Sequence, residues 1–327
     1  MMLEQILWPV ISLGGMGLLF GGGLAYASKI FAIETDPRVS QVRDVLPGAN
    51  CGACGYPGCD GFANAVVSGE AKINGCPVGG VETAEAVGEI MGVETSPSER
   101  MIARVICNGT NKNAKEKYKY YGITDCRAAA MVQGGSKECP YGCLGLGTCE
   151  NLCPFDAIHV NENGVAEVDE EKCTACGICI EVCPKSVIEL VPESKEVRVL
   201  CNSKDKGKEV KNYCSVGCIG CKICVKECPF DAMEFKDNLA YINYDKCTNC
   251  MICAEKCPTK AIYANFANRK KAFIDQDRCI QCTICKKNCP VDAIEGAVKQ
   301  EHYVLEDQCI GCGVCEEKCP KDAIKLH

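Results

Sequence analysis

From Ile6 to Ser28 the chain runs ILWPVISLGGMGLLFGGGLAYAS without one charged side chain. At a rise of ~1.5 Å per residue, such a helix covers a ~30 Å hydrocarbon layer. The pattern predicts one transmembrane anchor over residues 1–30. Glu4 is the only charge before the stretch, whereas Lys29, Arg38 and Arg43 follow it. Basic residues favour the inner side of a membrane, so the bulk of the chain is expected on the cytoplasmic side of the cell membrane. Gly17, Gly21 and Ala25 form a stripe of small residues suited to close approach of another membrane helix. Ala25-Tyr26-Ala27 resembles a signal-peptide cleavage site, but no basic segment precedes the apolar run.

Downstream the apolar runs are short. Gly61–Val67 and Val81–Met91 read as helices, the second ended by Gly92. Ala293–Glu306 alternates and reads as a hairpin. The tetrapeptides FDAI, KSVI, FDAM, TKAI, VDAI and KDAI recur about every 30 residues, each directly after a Cys-Pro pair. These elements predict an α+β chain, with the anchor at 1–30, a small helical module at 31–95 and repeated small units after it.

Composition explains the small units. The apolar fraction of 47% counts 32 cysteines, and there are only one Trp, 11 Tyr and 8 Phe. Chains this poor in core rely on disulfides or metals. The charge is mixed, with 36 basic and 43 acidic residues, which disfavours nucleic acid as a partner. His159, His302 and His327 are scattered, so no catalytic side chains of the chain's own are expected. No glycine-rich phosphate loop follows a strand, so nicotinamide and flavin cofactors are expected on other chains.

Five runs share the spacing C-x2-C-x2-C-x3-C-P. They are Cys173, Cys176, Cys179 and Cys183; Cys218, Cys221, Cys224 and Cys228; Cys247, Cys250, Cys253 and Cys257; Cys279, Cys282, Cys285 and Cys289; and Cys309, Cys312, Cys315 and Cys319. A stretched relative comprises Cys139, Cys143, Cys149 and Cys153. Three cysteines two residues apart wrap one cubane, and small residues such as Gly177, Gly220, Gly311 and Gly313 permit the approach. The fourth ligates the neighbouring cluster in two-cluster ferredoxins of this spacing. Zinc sites instead use pairs of CxxC, and disulfides need an oxidising compartment.

Crossed ligation gives six sets. Cys139, Cys143, Cys149 and Cys183 stand beside Cys153, Cys173, Cys176 and Cys179. Cys218, Cys221, Cys224 and Cys257 stand beside Cys228, Cys247, Cys250 and Cys253. Cys279, Cys282, Cys285 and Cys319 stand beside Cys289, Cys309, Cys312 and Cys315. Upstream, LPGANCGACGYPGC and a later cysteine supply Cys51, Cys54, Cys59 and Cys76 for a seventh site, where zinc is an alternative guest. The expected fold class is then α+β: an N-terminal transmembrane helix, a small helical 4Fe-4S module, then three tandem two-cluster ferredoxin-like domains at 96–215 (core 135–192), 216–265 and 270–327. Cys107, Cys126, Cys201 and Cys214 remain, in two lysine-rich stretches that each begin V-x-C-N. They suggest an eighth cluster, against the reading of four reduced thiols.

The order of an uncharged N-terminal stretch, LPGANCGACGYPGC, CPYGCLGLGTC and CTACGICIEVCP resembles the B component of the Rnf complex, the ion-translocating ferredoxin:NAD oxidoreductase. The likeness is specific to about Cys183 and continues as polyferredoxin, similar to the longer form found in anaerobes. The resemblance implies an electron-transfer subunit of a translocase. Its partners would be the other subunits of a membrane-bound Rnf-type complex, with soluble reduced ferredoxin as donor. The alternative is a stand-alone polyferredoxin carrying electrons between cytoplasmic redox enzymes. Each oxidised [4Fe-4S] core with four thiolates carries about −2, which deepens the formal charge of −7. An acidic donor then needs a basic patch. Candidates are Lys256, Lys260, Arg269, Lys270 and Lys271, with Lys286 and Lys287. Electrons are expected to enter at the distal domains and leave through the Cys51–Cys76 cluster.

Overall fold

The computed structural model describes residues 2–30, 36–94 and 99–327. Helix α1, Met2–Ile30, is continuous over 29 residues. Its described large apolar side chains, among them Trp8, Leu18, Leu19 and Phe20, are exposed. Among the described residues no helix is long and apolar enough to cross a membrane. Several α1 side chains before Leu13 lie outside the described residues, as do residues 31–35 and 95–98.

The module that follows has three helices: α2 (Pro37–Val45), α3 (Gly58–Val67) and α4 (Gly80–Met91). Asp36 caps α2, its carboxylate accepting from the Arg38 N–H at 2.9 Å. Gly92 ends α4 in the left-handed region, at φ 69°, and its N–H returns to the carbonyls of Glu89 and Gly88. The helices close over Val42, Leu46, Phe62, Val66 and Val87. One side of that core is sulfur, since Cys54, Cys59 and Cys76 pack on it.

Among the described residues, the strands after position 100 form six two-stranded antiparallel sheets. They repeat one plan. In the first unit β1 (Met101–Val105), β2 (Ile158–Val160), β3 (Ala166–Val168) and β4 (Ile188–Pro192) pair as an inner β2–β3 hairpin and an outer β1–β4 closure. The second unit uses β5 (Val197–Val199), β6 (Met233–Lys236), β7 (Leu239–Ile242) and β8 (Ile262–Ala264), with β6–β7 inside and β5–β8 outside. The third uses β9 (Ala272–Ile274), β10 (Ile294–Glu295), β11 (Tyr303–Val304) and β12 (Ile324–Leu326) in the same way. Each core is a thin seam of aliphatic residues between sulfurs, such as Val197, Leu239, Met251 and Ile262 with Cys224 and Cys253.

The closing strand of the second unit comes from 197–199, upstream of the boundary expected at 216. Three residues are too short a strand to register in an apolar pattern, so the pairing is visible only in three dimensions. Residues 200–215, with a helix at Gly207–Tyr213, lie against the loop after β1. Asn108 N–H donates to Leu200 O, Lys115 N–H to Tyr213 O and Ser215 N–H to Asn113 O. This backbone seam joins the first two units.

Candidate metal centres

In each full run the residues flanking the second cysteine sit in the left-handed region. They are Ala175 and Gly177, Gly220 and Lys222, Asn249 and Met251, Gln281 and Thr283, and Gly311 and Gly313. Non-glycine residues resist that conformation, so its recurrence marks a loop held by its contents. The turn aims backbone N–H groups at sulfur: those of Ile178, Ile252 and Val314 donate to Cys176, Cys250 and Cys312. A one-turn helix then carries the third cysteine, as Ile178–Glu181 carries Cys179.

The recurring tetrapeptides serve the fourth cysteine. The alanine N–H donates to its Sγ, Ala157 to Cys153 at 3.4 Å, Ala293 to Cys289 at 3.2 Å and Ala323 to Cys319 at 3.3 Å. The residue before it takes positive φ: Asp156, Ser186, Asp231, Lys260, Asp292 and Asp322. Asp tolerates that region better than most residues, which accounts for its recurrence.

The structure brings Cys279, Cys282, Cys285 and Cys319 around one cavity. Cys289, Cys309, Cys312 and Cys315 line another. Cys51, Cys54, Cys59 and Cys76 line one in the N-terminal module. In the second unit burial, then the charges of Cys218, Cys221 and Cys257, push the Cys224 thiol up to about 11. Cys253 is raised likewise by burial and by Cys250, Cys247, Cys224 and Cys228. In the first unit burial, then Cys176, Cys173 and Cys153, raise Cys179 to about 12.

The remaining cysteines sort differently from the spacing. Cys126, not Cys139, joins Cys143, Cys149 and Cys183 around one cavity. Cys139 instead lines a separate cavity with Cys107, Cys201 and Cys214. The stretched run is the reason. The Cys139 loop turns toward the 200–215 segment, and Asp125 caps the short helix Cys126–Met131 against Thr148, whose Oγ1 accepts from the Cys126 N–H at 2.6 Å.

Among the described residues no group of His, Cys, Asp or Glu side chains is arranged to hold a single metal ion. The sulfurs stand around cavities instead, and as thiols they are crowded and desolvated, a state that a cationic core of several irons relieves. Orphaned polar atoms point the same way. Thr174 Oγ1, Thr248 Oγ1 and both ring nitrogens of His302 are buried without partners. The two threonines follow Cys173 and Cys247, and His302 lines the Cys279 cavity. Donors to sulfide or thiolate are what these positions offer. The residues fit [4Fe-4S] cores.

Comparison with known proteins agrees. Residues 46–78 match an Fe-S cluster family, and 4Fe-4S dicluster domain families match 140–190, 172–232, 217–262, 246–293 and 272–326. The B component of the Na(+)-translocating ferredoxin:NAD(+) oxidoreductase complex of Acetobacterium woodii is 55% identical over 246 residues, 75% of this chain and 74% of that protein. The chain belongs to the family of Rnf complex B components. The corresponding component of the ion-translocating oxidoreductase complex of Methanosarcina acetivorans is 46% identical over 76% of this chain and 95% of its own length. The proton-translocating counterpart from Clostridium ljungdahlii is 45% identical over 71% and 82%.

In this Rnf chain, basic side chains brace the cluster loops, a role spacing does not signal. Arg100, Lys195 and Lys271 each lie just before a unit's outer strand. They donate to the carbonyl of the first cysteine in the second run of that unit: Cys173 at 3.0 Å, Cys247 at 2.7 Å and Cys309 at 2.6 Å. Arg269 pairs with Glu255 at 2.7 Å, donates to Cys250 O and stacks on Phe266. Three members of the expected basic docking patch, Arg269, Lys271 and Lys286, therefore serve internal bonds, the last to Gly296 O at 3.0 Å. Lys256, Lys260, Lys270 and Lys287 remain exposed.

Proposed function

We propose that this chain is the membrane-anchored, multi-cluster electron-transfer subunit of an Rnf-type complex. It would take electrons from reduced ferredoxin and pass them to membrane partners during ferredoxin:NAD oxidoreduction coupled to ion translocation. One observation carries the reading: the cysteine sets stand in file. Cys51 is close enough to Cys176 to raise its thiol, after burial and Cys153. Cys143 N–H donates to Cys107 Sγ at 3.3 Å, and Cys201 is raised by burial and by Cys218. Cys312 acts on Cys250 in the same way, after burial, Cys228 and Cys247. Within each ferredoxin-like unit the crossed fourth cysteine ties two sets together. Bound [4Fe-4S] clusters supply one-electron transfer along such a file.

Direction follows from position. The Cys51 set belongs to the module that follows α1 in sequence, and the third unit lies farthest from it along the chain. Electrons entering at the third unit and leaving through the Cys51 set fit that arrangement. Anchoring rests on α1, whose 29 helical residues include the uncharged Ile6–Ser28 stretch. The test is anaerobic stopped-flow reduction by ferredoxin, together with alkaline carbonate washing of membranes. Rapid reduction of the file and retention in the lipid pellet support the reading. Release by carbonate would favour a stand-alone polyferredoxin, and absent reduction by ferredoxin would remove the assigned donor.

A further inference from the structure

The cysteines left over by the ferredoxin repeat meet where the first two units join. Cys107, Cys139, Cys201 and Cys214 line one cavity. Cys107 packs on the core of the first unit, and Cys201 on that of the second. Cys214 is fixed by its bridge to Ala114 across the backbone seam. The set therefore draws on three separate stretches, one with Cys107, one with Cys139 and one with both Cys201 and Cys214, and no single spacing rule could name it.

Every sulfur in the set receives backbone N–H groups, as in the ferredoxin loops. Gly109 donates to Cys107 at 3.4 Å and Cys143 donates to it at 3.3 Å. Tyr141 and Gly142 serve Cys139, Cys218 and Ser203 serve Cys201, and Val216 and Gly217 serve Cys214. The walls are kept bare. A Cβ at Gly109 would lie 3.4 Å from Cys107 Sγ, and one at Gly142 3.6 Å from Cys139 Sγ. At Gly217 it would collide with Val210 Cγ1 and lie 3.7 Å from Cys214 Sγ. A fixed cation is also at hand. Lys137 is 2% exposed, and its Nζ donates to Gly109 O at 2.6 Å and Gly164 O at 3.3 Å. The first dicluster match begins at residue 140, which leaves Cys107, Cys126 and Cys139 outside every family match.

We infer that Cys107, Cys139, Cys201 and Cys214 hold an eighth [4Fe-4S] cluster that joins the first ferredoxin-like unit to the second, while Cys126 completes the neighbouring set with Cys143, Cys149 and Cys183. The ligand assignment stands on geometry alone; the joining role rests on the electron-transfer reading above. In that role one electron passes from a reduced core to its oxidised neighbour, and no bond is made or broken. Without this site the file would have a gap between Cys143 and Cys218.

The experiment counts iron per anaerobically reconstituted chain in single and paired alanine variants. Eight cubanes give about 32 irons, and each cluster lost removes about four. Cys139→Ala with Cys201→Ala should lose no more than either alone, about four irons. Cys126→Ala with Cys201→Ala should lose about eight. The reverse result, with Cys126 and Cys201 non-additive and Cys139 and Cys201 additive, overturns the assignment. A wild-type count of about 28 that Cys201→Ala does not lower removes the eighth site altogether. Should alanine variants fail to fold, Cys139→Ser, Cys201→Ser and Cys126→Ser are compared by EPR. The first two should shift one spectral component and the third a different one; a shared component for Cys126→Ser and Cys201→Ser sinks the proposal. These readouts need neither ferredoxin nor a membrane, so their failure is separate from failure of the Rnf role.

Discussion

At the scale of the residue, charge set against sulfur is the recurring device. Burial raises the thiols of Cys143 and Cys214, and Lys137 draws both back down. The same ammonium should stabilise the more negative, reduced state of cores held by those residues. Lys137→Gln is expected to lower the midpoint potentials of two clusters, on the order of 100 mV, for loss of one charge at an effective dielectric of ~20. An EPR-monitored redox titration checks this, and unchanged potentials would contradict it. The basic run at 256–271 needs a different test from simple charge reversal of all its members. Lys271→Gln leaves the carbonyls of Glu306 and Cys309 without their donor, and about 1–3 kcal/mol of stability should go with it. Lys270→Glu, at an exposed position, should leave stability unchanged and slow reduction by ferredoxin in a salt-dependent way if docking occurs there.

At the scale of the element, each unit depends on an outer strand of few residues. Val197 is 1% exposed and lies opposite Ala264 in the β5–β8 pair. Val197→Ala should cost about 2 kcal/mol and loosen the loops of Cys247 and Cys257, although it lies outside the 216–265 segment. Hydrogen exchange should show lost protection of the β8 amides, with Val298→Ala at an exposed position as control. No change at β8 would mean that β5 is not the closing strand in solution. The inner hairpins need less explanation. Ala293–Glu306 is legible as a hairpin because its alternation survives even though the strands shrink to Ile294–Glu295 and Tyr303–Val304.

At the scale of the whole molecule, thin cores make the clusters the main support of the fold. Iron chelation under reducing conditions should unfold residues 101–327 in step with loss of visible absorbance, and an iron-free chain with native near-UV dichroism would refute this.

Cysteine spacing and the repeated tetrapeptides determined the ferredoxin-like plan, because a cubane loop needs three sulfurs close together in sequence and one returning from its partner run. Those constraints are local and leave a mark on sequence. The family could be read from the same motifs. What only the tertiary structure decided is which sulfurs meet across long separations: Cys126 with Cys149, Cys139 with Cys214, β5 with β8, and Lys271 with Cys309. None of these pairs shares a short spacing or a periodic pattern. Cys139 meets Cys214 through the backbone bonds between the 107–115 and 200–215 segments, and Cys126 meets Cys149 through the Cys126 N–H on Thr148 Oγ1. The β5–β8 pair and the Lys271 contact with Cys309 follow from how an outer strand closes its unit, and contacts at such separations leave no periodic mark on the sequence.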